Sequence, residues 1–311
     1  MLNITGTHPS LLTLNFGPVT ELKYLYSAIT FLGFLIIVVP NCAVISTVAL
    51  HKSLQEPIFI SVLCLNGLYG SCSFFPNLFI NLISQTQTIS YAGCLAQIFI
   101  IHTYMGVEFT ILTVMAYDRY LSISHPLRYT TIMSFNMILK LVFAAWSYII
   151  CLFTVHFALT FRLPLCDSFI LKIYCDNWSM VRLSCIDTTV SNIYGLFITI
   201  MIIAPTLTVI FISYIKILKV CVRASKDLGS KSLQTCTPHF VTITIFVINV
   251  LFEIFLHHFS RTNLSYEMRT VMSLQYLVVP PILNPLIYGL KMREIRVKLT
   301  KLLYSKLMMS P

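Results

Sequence analysis

Seven stretches of about twenty apolar residues, joined by short polar segments, leave this chain few folds to choose from. They cover 24–50, 58–82, 91–115, 138–160, 193–217, 240–259 and 270–290. About twenty apolar residues are what an α-helix needs to cross the hydrocarbon core of a bilayer. Soluble domains carry roughly 25% charged residues. Here the figure is 10%, against 57% hydrophobic residues, and mean hydropathy is +0.83. Period-two alternation is absent, which argues against a β-barrel. The reading is an all-α membrane protein: a seven-helix bundle over 24–290, an N-terminal segment over 1–23, and a tail over 291–311. No internal repeat or low-complexity run divides it.

An odd number of spans puts the two ends of the bundle's chain on opposite sides. Of the 21 Lys and Arg, Lys23, Arg162, Lys172, Arg182, Arg261 and Arg269 fall on one side and the rest on the other. The positive-inside rule then places the N-terminus outside and the tail in the cytosol. The net charge of +10 becomes a property of the cytoplasmic face, and a nucleic-acid partner has no soluble domain to dock on. No cationic segment with a short apolar core precedes the first span, so no cleaved signal peptide is expected. Asn3-Ile4-Thr5 reads as an external glycosylation acceptor, whereas Asn263-Leu264-Ser265 lies too near two helix ends. In the tail, Ile295, Leu299, Leu302 and Leu303 share a face away from Arg296, Lys298 and Lys301. That pattern suits a short amphipathic helix on the inner leaflet.

The third span ends in Met115-Ala116-Tyr117-Asp118-Arg119-Tyr120. A guanidinium at the lip of a membrane helix is costly unless it reaches water or pairs with an acid, and Asp118 is adjacent. Such a pair can serve as a latch with two arrangements that a distant ligand biases. Glu108 lies about three turns deeper, and an intramembrane carboxyl marks a functional site by default. His102, Met105, Gly106 and Phe109 are expected on one face of the same helix. Asn41 and Asn66 need partners on neighbouring helices. Pro205 frees the carbonyl of Met201, and Pro280, Pro281 and Pro285 make a straight seventh helix implausible. Glu253 falls near the outer end of the sixth span. The basic stretch 216–231 between the fifth and sixth spans, with Ser225, Ser230 and Ser232 interleaved, reads either as a cytoplasmic anchor belt or as a docking surface for a cytosolic partner.

Cys94, Cys166, Cys175 and Cys185 share the outer side, so two disulfides are expected there, with three pairings open. The other six cysteines fall in or near spans. No CxxC pair occurs and no histidine sits at a matching interval, so no zinc site is expected. No catalytic constellation emerges, and the chain reads as a non-enzyme.

The Asp118-Arg119-Tyr120 run, seven spans and Asn284-Pro285-x-x-Tyr288 together resemble the rhodopsin-like G-protein-coupled receptors. The finer resemblance is to vertebrate odorant receptors. It rests on Met115 to Tyr120, His125-Pro126-Leu127-Arg128-Tyr129, Ser184-Cys185-x-Asp187-Thr188, Lys231-Ser232-x-x-Thr235-Cys236-x-x-His239, and Pro280 to Tyr288. Asn66 to Gly70 and Asp187 to Gly195 look most like the branches of aquatic vertebrates. The resemblance implies disulfides Cys94–Cys175 and Cys166–Cys185. It implies a polar cluster of Glu108 and Asn284 able to hold a structural sodium ion. Asp118, Arg119, Tyr120, Asn284, Pro285 and Tyr288 would form the activation switch.

The resemblance further implies a small extracellular odorant bound between the third, fifth, sixth and seventh spans. Candidate contacts are His102, Met105, Gly106, Tyr194, Met201, Val247, Ile248 and Glu253. The partner would be a heterotrimeric G protein of the olfactory stimulatory type, raising cyclic AMP at the plasma membrane. Two departures stand out. Pro57-Ile58-Phe59 is followed by no acid in a second span about two residues short, and Phe246-Val247-Ile248 replaces the family's aromatic-rich run with its switch tyrosine. The alternatives are a rhodopsin-like receptor for an internal ligand, or a transporter or channel, which would want inverted repeats.

Overall fold

Without water at hand, a backbone must pair its N–H and C=O groups within its own segment, so long apolar stretches fold as helices. A computed structural model of the chain describes residues 9–17, 22–50, 58–223, 226–259, 266–291 and Val297. Its helices are α1 (Lys23–Leu50), α2 (Ile58–Ile83), α3 (Tyr91–Ser124), the single turn α4 (Tyr129–Ile132), α5 (Phe135–Phe161), α6 (Asn177–Arg182), α7 (Thr189–Arg223), α8 (Lys226–Phe259) and α9 (Tyr266–Lys291). Six of them, α1, α2, α3, α5, α7 and α9, carry an apolar stretch of at least 18 residues; that of α8, Cys236–Phe252, is shorter among the described residues. The seven long helices match the seven expected spans. Apart from Lys291 and Val297, the expected tail helix over 291–311 lies outside the described residues, as do Asn3 and Asn263.

Local chemistry sets the ends of α3. Ser90 caps its start, accepting from the N–H of Gly93 at 3.1 Å. Its end falls at His125, whose backbone leaves the helical region (φ −136°, ψ 55°) just ahead of Pro126, as a residue preceding proline tends to. α3 is the most buried long helix, while α1, α5 and α7 turn most of their apolar surface outward. Around α3 two apolar cores form. One, containing Leu63, Ile111, Leu112, Phe246 and Tyr288, lies toward the Arg119 end. The other, containing Phe74, Tyr104 and Tyr174, lies toward the Cys94 end.

The Cys94 end is closed by a small sheet absent from the sequence-based reading. Strand β1 (Leu11–Leu14) lies between β2 (Thr88–Ser90) and β3 (Phe169–Ile170). β1 runs antiparallel to β2, with Leu12 opposite Ile89, and parallel to β3, with Thr13 opposite Phe169. Its residues alternate, so that Leu12 and Leu14 are buried in the core below while Leu11 and Thr13 face out. The α5–α7 connection is held by both implied disulfides, Cys94–Cys175 and Cys166–Cys185, with Cα separations of 5.4 and 5.1 Å. The second closes a 19-residue loop, removing about 3 kcal/mol of unfolded-chain entropy. Within the same connection Asp176 caps α6 and pairs with Lys172 at 2.6 Å.

Three features of the helices bear on the expectations above. The basic stretch 216–231 is largely helical, since α7 runs on to Arg223 and α8 starts at Lys226. Helices can lengthen past the lipid wherever charged residues suit them. The shortened second span forms an uninterrupted α2, with Pro76 inside it. α9 likewise passes through Pro280, Pro281 and Pro285 without a break. A proline deletes one backbone bond, and a donor from a neighbouring helix can replace it.

Candidate functional site: a latch, a buried carboxyl and an aromatic wall

The pair expected at the end of α3 is closed. Arg119 Nη2 donates to Asp118 Oδ2 at 2.9 Å, with the Asp118 side chain only 1% exposed. The other carboxylate oxygen accepts from the hydroxyl of Tyr129, at the start of α4, at 2.7 Å. The turn after His125-Pro126 therefore folds back to complete the latch. Tyr120 does not join it, since its ring carries the Lys216 ammonium at 4.9 Å and faces α7. Nearby, His239 of α8 bridges two helices. Its Nε2 lies 3.0 Å from the Leu112 carbonyl and its Nδ1 2.8 Å from the Tyr214 hydroxyl. A carbonyl only accepts, so Nε2 carries the proton and Nδ1 of the neutral ring accepts from Tyr214. His239 was visible in its sequence motif, but nothing there assigned it a partner.

Glu108 is fully buried and bridged to two helices. Asn284 of α9 donates to Oε1 at 2.6 Å and Asn66 of α2 to Oε2 at 2.8 Å. Asn66 also donates to the Tyr104 carbonyl at 3.0 Å. The amide oxygens of Asn66 and Asn284 are left buried without a hydrogen-bond partner. Asn41, expected to need a neighbour, donates to the Pro281 carbonyl at 2.8 Å. Pro285 and Tyr288 are buried below Asn284, and Tyr288 is part of the core on the Arg119 side.

The expected ligand contacts do not all meet. His102 and Gly106 face α5. The His102 ring lies 5.6 Å from that of Phe153, and a Cβ on Gly106 would come within 2.8 Å of Ile149. Phe109 instead packs edge-on against Phe246 of α8 at 4.6 Å. Met105 sits between the two cores, and Val247 is half-buried against one of them. Met201 and Ile248 are 39% and 46% exposed and join neither core. The side chain of Glu253 lies outside the described residues.

The fourth span, absent from the expected site, packs aromatic side chains against α3 and α7. His156 of α5 stacks on Tyr194 of α7 at 5.9 Å and reaches Phe153 at 6.4 Å. Its Nδ1 is buried without a partner. A histidine inside a membrane helix was signal enough to include it. Gly195 admits the ring, since a Cβ there would stand 3.2 Å from His156 Cε1. Among the described residues no three His, Cys, Asp or Glu side chains cluster as metal ligands.

Known proteins resemble this chain in sequence. The olfactory receptor family matches residues 30–306. Human olfactory receptor 52D1 is 33% identical over 308 residues, spanning 97% of either chain. Human olfactory receptor 52N2 is 31% identical over 97% of this chain and 95% of its own. Human olfactory receptor 51I2 is 35% identical over 82% of this chain and 83% of its own. On this evidence the chain, a multi-pass membrane protein with a buried Asp118–Arg119 ion pair, belongs to the olfactory receptor family.

Proposed function

We propose that the protein is an odorant receptor that binds a small molecule inside the bundle and activates a heterotrimeric G protein of the olfactory stimulatory type. The observation that carries this reading is the latch: a buried carboxylate shared between Arg119 and Tyr129, in a chain of this family. The N-terminus is external and the tail cytosolic. Two observations support this topology, the disulfides beside the N-terminal strand, which call for an oxidising compartment, and the excess of basic residues at the other end. The odorant sits against the wall of His102, Phe153, His156 and Tyr194, with Met105 and Val247 below. His102 Nδ1 points to the Ile98 carbonyl at 2.8 Å, leaving Nε2 of the neutral ring as an acceptor. With the unpartnered His156 Nδ1, this favours ligands carrying a polar head on an apolar body.

The residues around Glu108 also suit a sodium ion. Its carboxylate and the unpartnered oxygens of Asn66 and Asn284 are the hard oxygen donors such a cation takes. The missing acid of the second span leaves Glu108 the cluster's single charge. When bound, the ion would supply a counter-charge to that carboxylate.

The test is a cyclic AMP reporter in cells expressing the receptor with the olfactory stimulatory G protein, screened with water-soluble and volatile odorants. An odorant that raises cyclic AMP through the parent receptor, and not through an Arg119→Ala variant delivered equally to the surface, is the expected result. Full signalling by the variant would refute the latch.

A further inference from the structure

A proline inside a helix leaves the carbonyl four residues back without its N–H partner. Three such carbonyls receive a side chain from another helix instead. Tyr148 of α5 donates to Met201, four before Pro205, at 2.7 Å. Asn41 of α1 donates to Pro281, four before Pro285, at 2.8 Å. Tyr104 of α3 donates to Tyr276, four before Pro280, at 3.0 Å. The last is the most constrained. Tyr104 is fully buried, and its ring lies so close to Gly70 of α2 that a Cβ there would stand 2.6 Å from Cγ. The ring has no room to swing aside.

The bond also sits at a junction. The Tyr104 carbonyl takes the Asn66 amide that reaches Glu108, and Glu108 in turn takes Asn284. α3 therefore grips α9 at two levels, Tyr104 on Tyr276 and Glu108 on Asn284. These lie one turn apart on α3 and about two turns apart on α9, on either side of Pro280 and Pro281. From the outer loop, Tyr174 takes the Tyr276 hydroxyl at 3.3 Å and donates its own to the Ser273 carbonyl at 3.2 Å. Above Pro280, α9 is thus held from α3 and from the loop. Below it, α9 carries Asn284 and Tyr288 toward the latch.

We propose that the Tyr104 hydroxyl is a positioning group for switching. By supplying the hydrogen bond that Pro280 deletes, it holds α9 against α3 in the arrangement whose Arg119–Asp118 latch is closed, and so biases the protein toward rest. The inference rests on the receptor reading above, in which that latch opens. Tyr276 is where α9 lacks internal restraint, so an inner half of α9 that moves does so about this point and strains the Tyr104 bond. Removing the hydroxyl takes away a restraint specific to the closed arrangement.

The test reads the two arrangements directly and needs no odorant. Spin labels go at Leu127→Cys, which is 96% exposed, and at Gln234→Cys on the exposed inner part of α8. The exposed Cys42, Cys72 and Cys151 are replaced by alanine. Pulsed distance measurements in nanodiscs then give the share of the separated population. Tyr104→Phe keeps the ring that fills the space beside Gly70 and should raise that share about fivefold relative to the closed one, as the net effect of one hydrogen bond. Pro280→Ala restores an N–H to the Tyr276 carbonyl, and in that background Tyr104→Phe should shift the share less than twofold. An unchanged population in the parent background, or an equal shift in both, overturns the proposal, since a packing role would act alike in the two. A failure of the receptor reading appears separately, as an odorant screen in which the parent raises no cyclic AMP.

Discussion

Gly70→Ala pits two opposing effects against each other at a site whose geometry decides the winner. Alanine is favoured over glycine in a helix interior by about 0.8–1.0 kcal/mol, so the change should stabilise α2 if space allowed. Space does not allow it. The new Cβ would stand 2.6, 2.8 and 3.0 Å from the Cγ, Cδ2 and Cδ1 atoms of Tyr104, where about 3.5–4.0 Å is the favourable carbon–carbon separation. The ring cannot retreat cheaply, because its hydroxyl is bonded to the Tyr276 carbonyl and its surroundings are fully buried. Overpacking of this kind costs about 1–3 kcal/mol, and a lost Tyr104 bond adds about 1 kcal/mol. The net expectation is a loss of about 1–3 kcal/mol. Gly33→Ala is the internal control, with its nearest neighbour at 3.7 Å, an ordinary contact, so it should be neutral or mildly stabilising. The assay is thermal unfolding of purified receptor followed by a thiol-reactive dye, which reports exposure of the buried free cysteines Cys64, Cys221 and Cys236. Gly70→Ala should melt clearly below the parent, and Tyr104→Leu should relieve the deficit in the double variant. Equal melting of Gly70→Ala and Gly33→Ala, or no relief in the double variant, would refute the reasoning.

Tyr129→Phe removes one donor from the buried Asp118 carboxylate; a hydrogen bond to a charged group is worth about 1.5–3 kcal/mol, so ligand-free cyclic AMP per surface receptor should rise roughly tenfold, and an unchanged basal level counts against the latch. Glu108→Gln removes the one charge among the oxygens of Asn66 and Asn284, so odorant dose–response curves in sodium and in a large organic cation should differ for the parent and coincide for the variant. In the outer loop, burial opposes the Asp176 charge, but the Lys172 ammonium and the two Ser179 donors outweigh it and hold the carboxyl below its usual range. A depressed folded value means this stabilisation is complete above the pKa of a free aspartate and fades as pH falls through the folded value. Emission of Trp178, in the helix that Asp176 caps, should therefore stay constant through mildly acidic pH and shift only below the ordinary aspartate range; Asp176→Asn should abolish that shift, and a transition near neutral pH in the parent would contradict it.

The long helices were legible because a bilayer lets an apolar stretch do little else with its backbone. Where lipid stops dictating, the sequence signal weakened. The charge of residues 216–231 read as an anchor belt or a docking surface and gave no helix ends, whereas α7 runs on to Arg223 and α8 starts at Lys226. Pro280, Pro281 and Pro285 did not show that α9 continues through them, because the proline rule counts only bonds within one helix, whereas Tyr104 and Asn41 arrive from elsewhere. The latch could be read from adjacent Asp118 and Arg119, but Tyr129 reaches it through a turn. The aromatic wall escaped because periodicity on α3 says which residues share a face and not which helix that face meets. β1 escaped because both of its partners lie far along the chain.

That last feature has a bearing on biosynthesis. The sheet around Leu12 and Leu14 is complete only when Phe169–Ile170 lies alongside Thr13 and Leu14, and this stretch is made after more than half of the chain. The earliest strand to leave the ribosome is thus among the last to be satisfied, with two apolar side chains bare in the interim. A receptor stalled before its outer loop folds would show that strand to the chaperones of the secretory pathway, so the sheet doubles as a certificate of completed assembly.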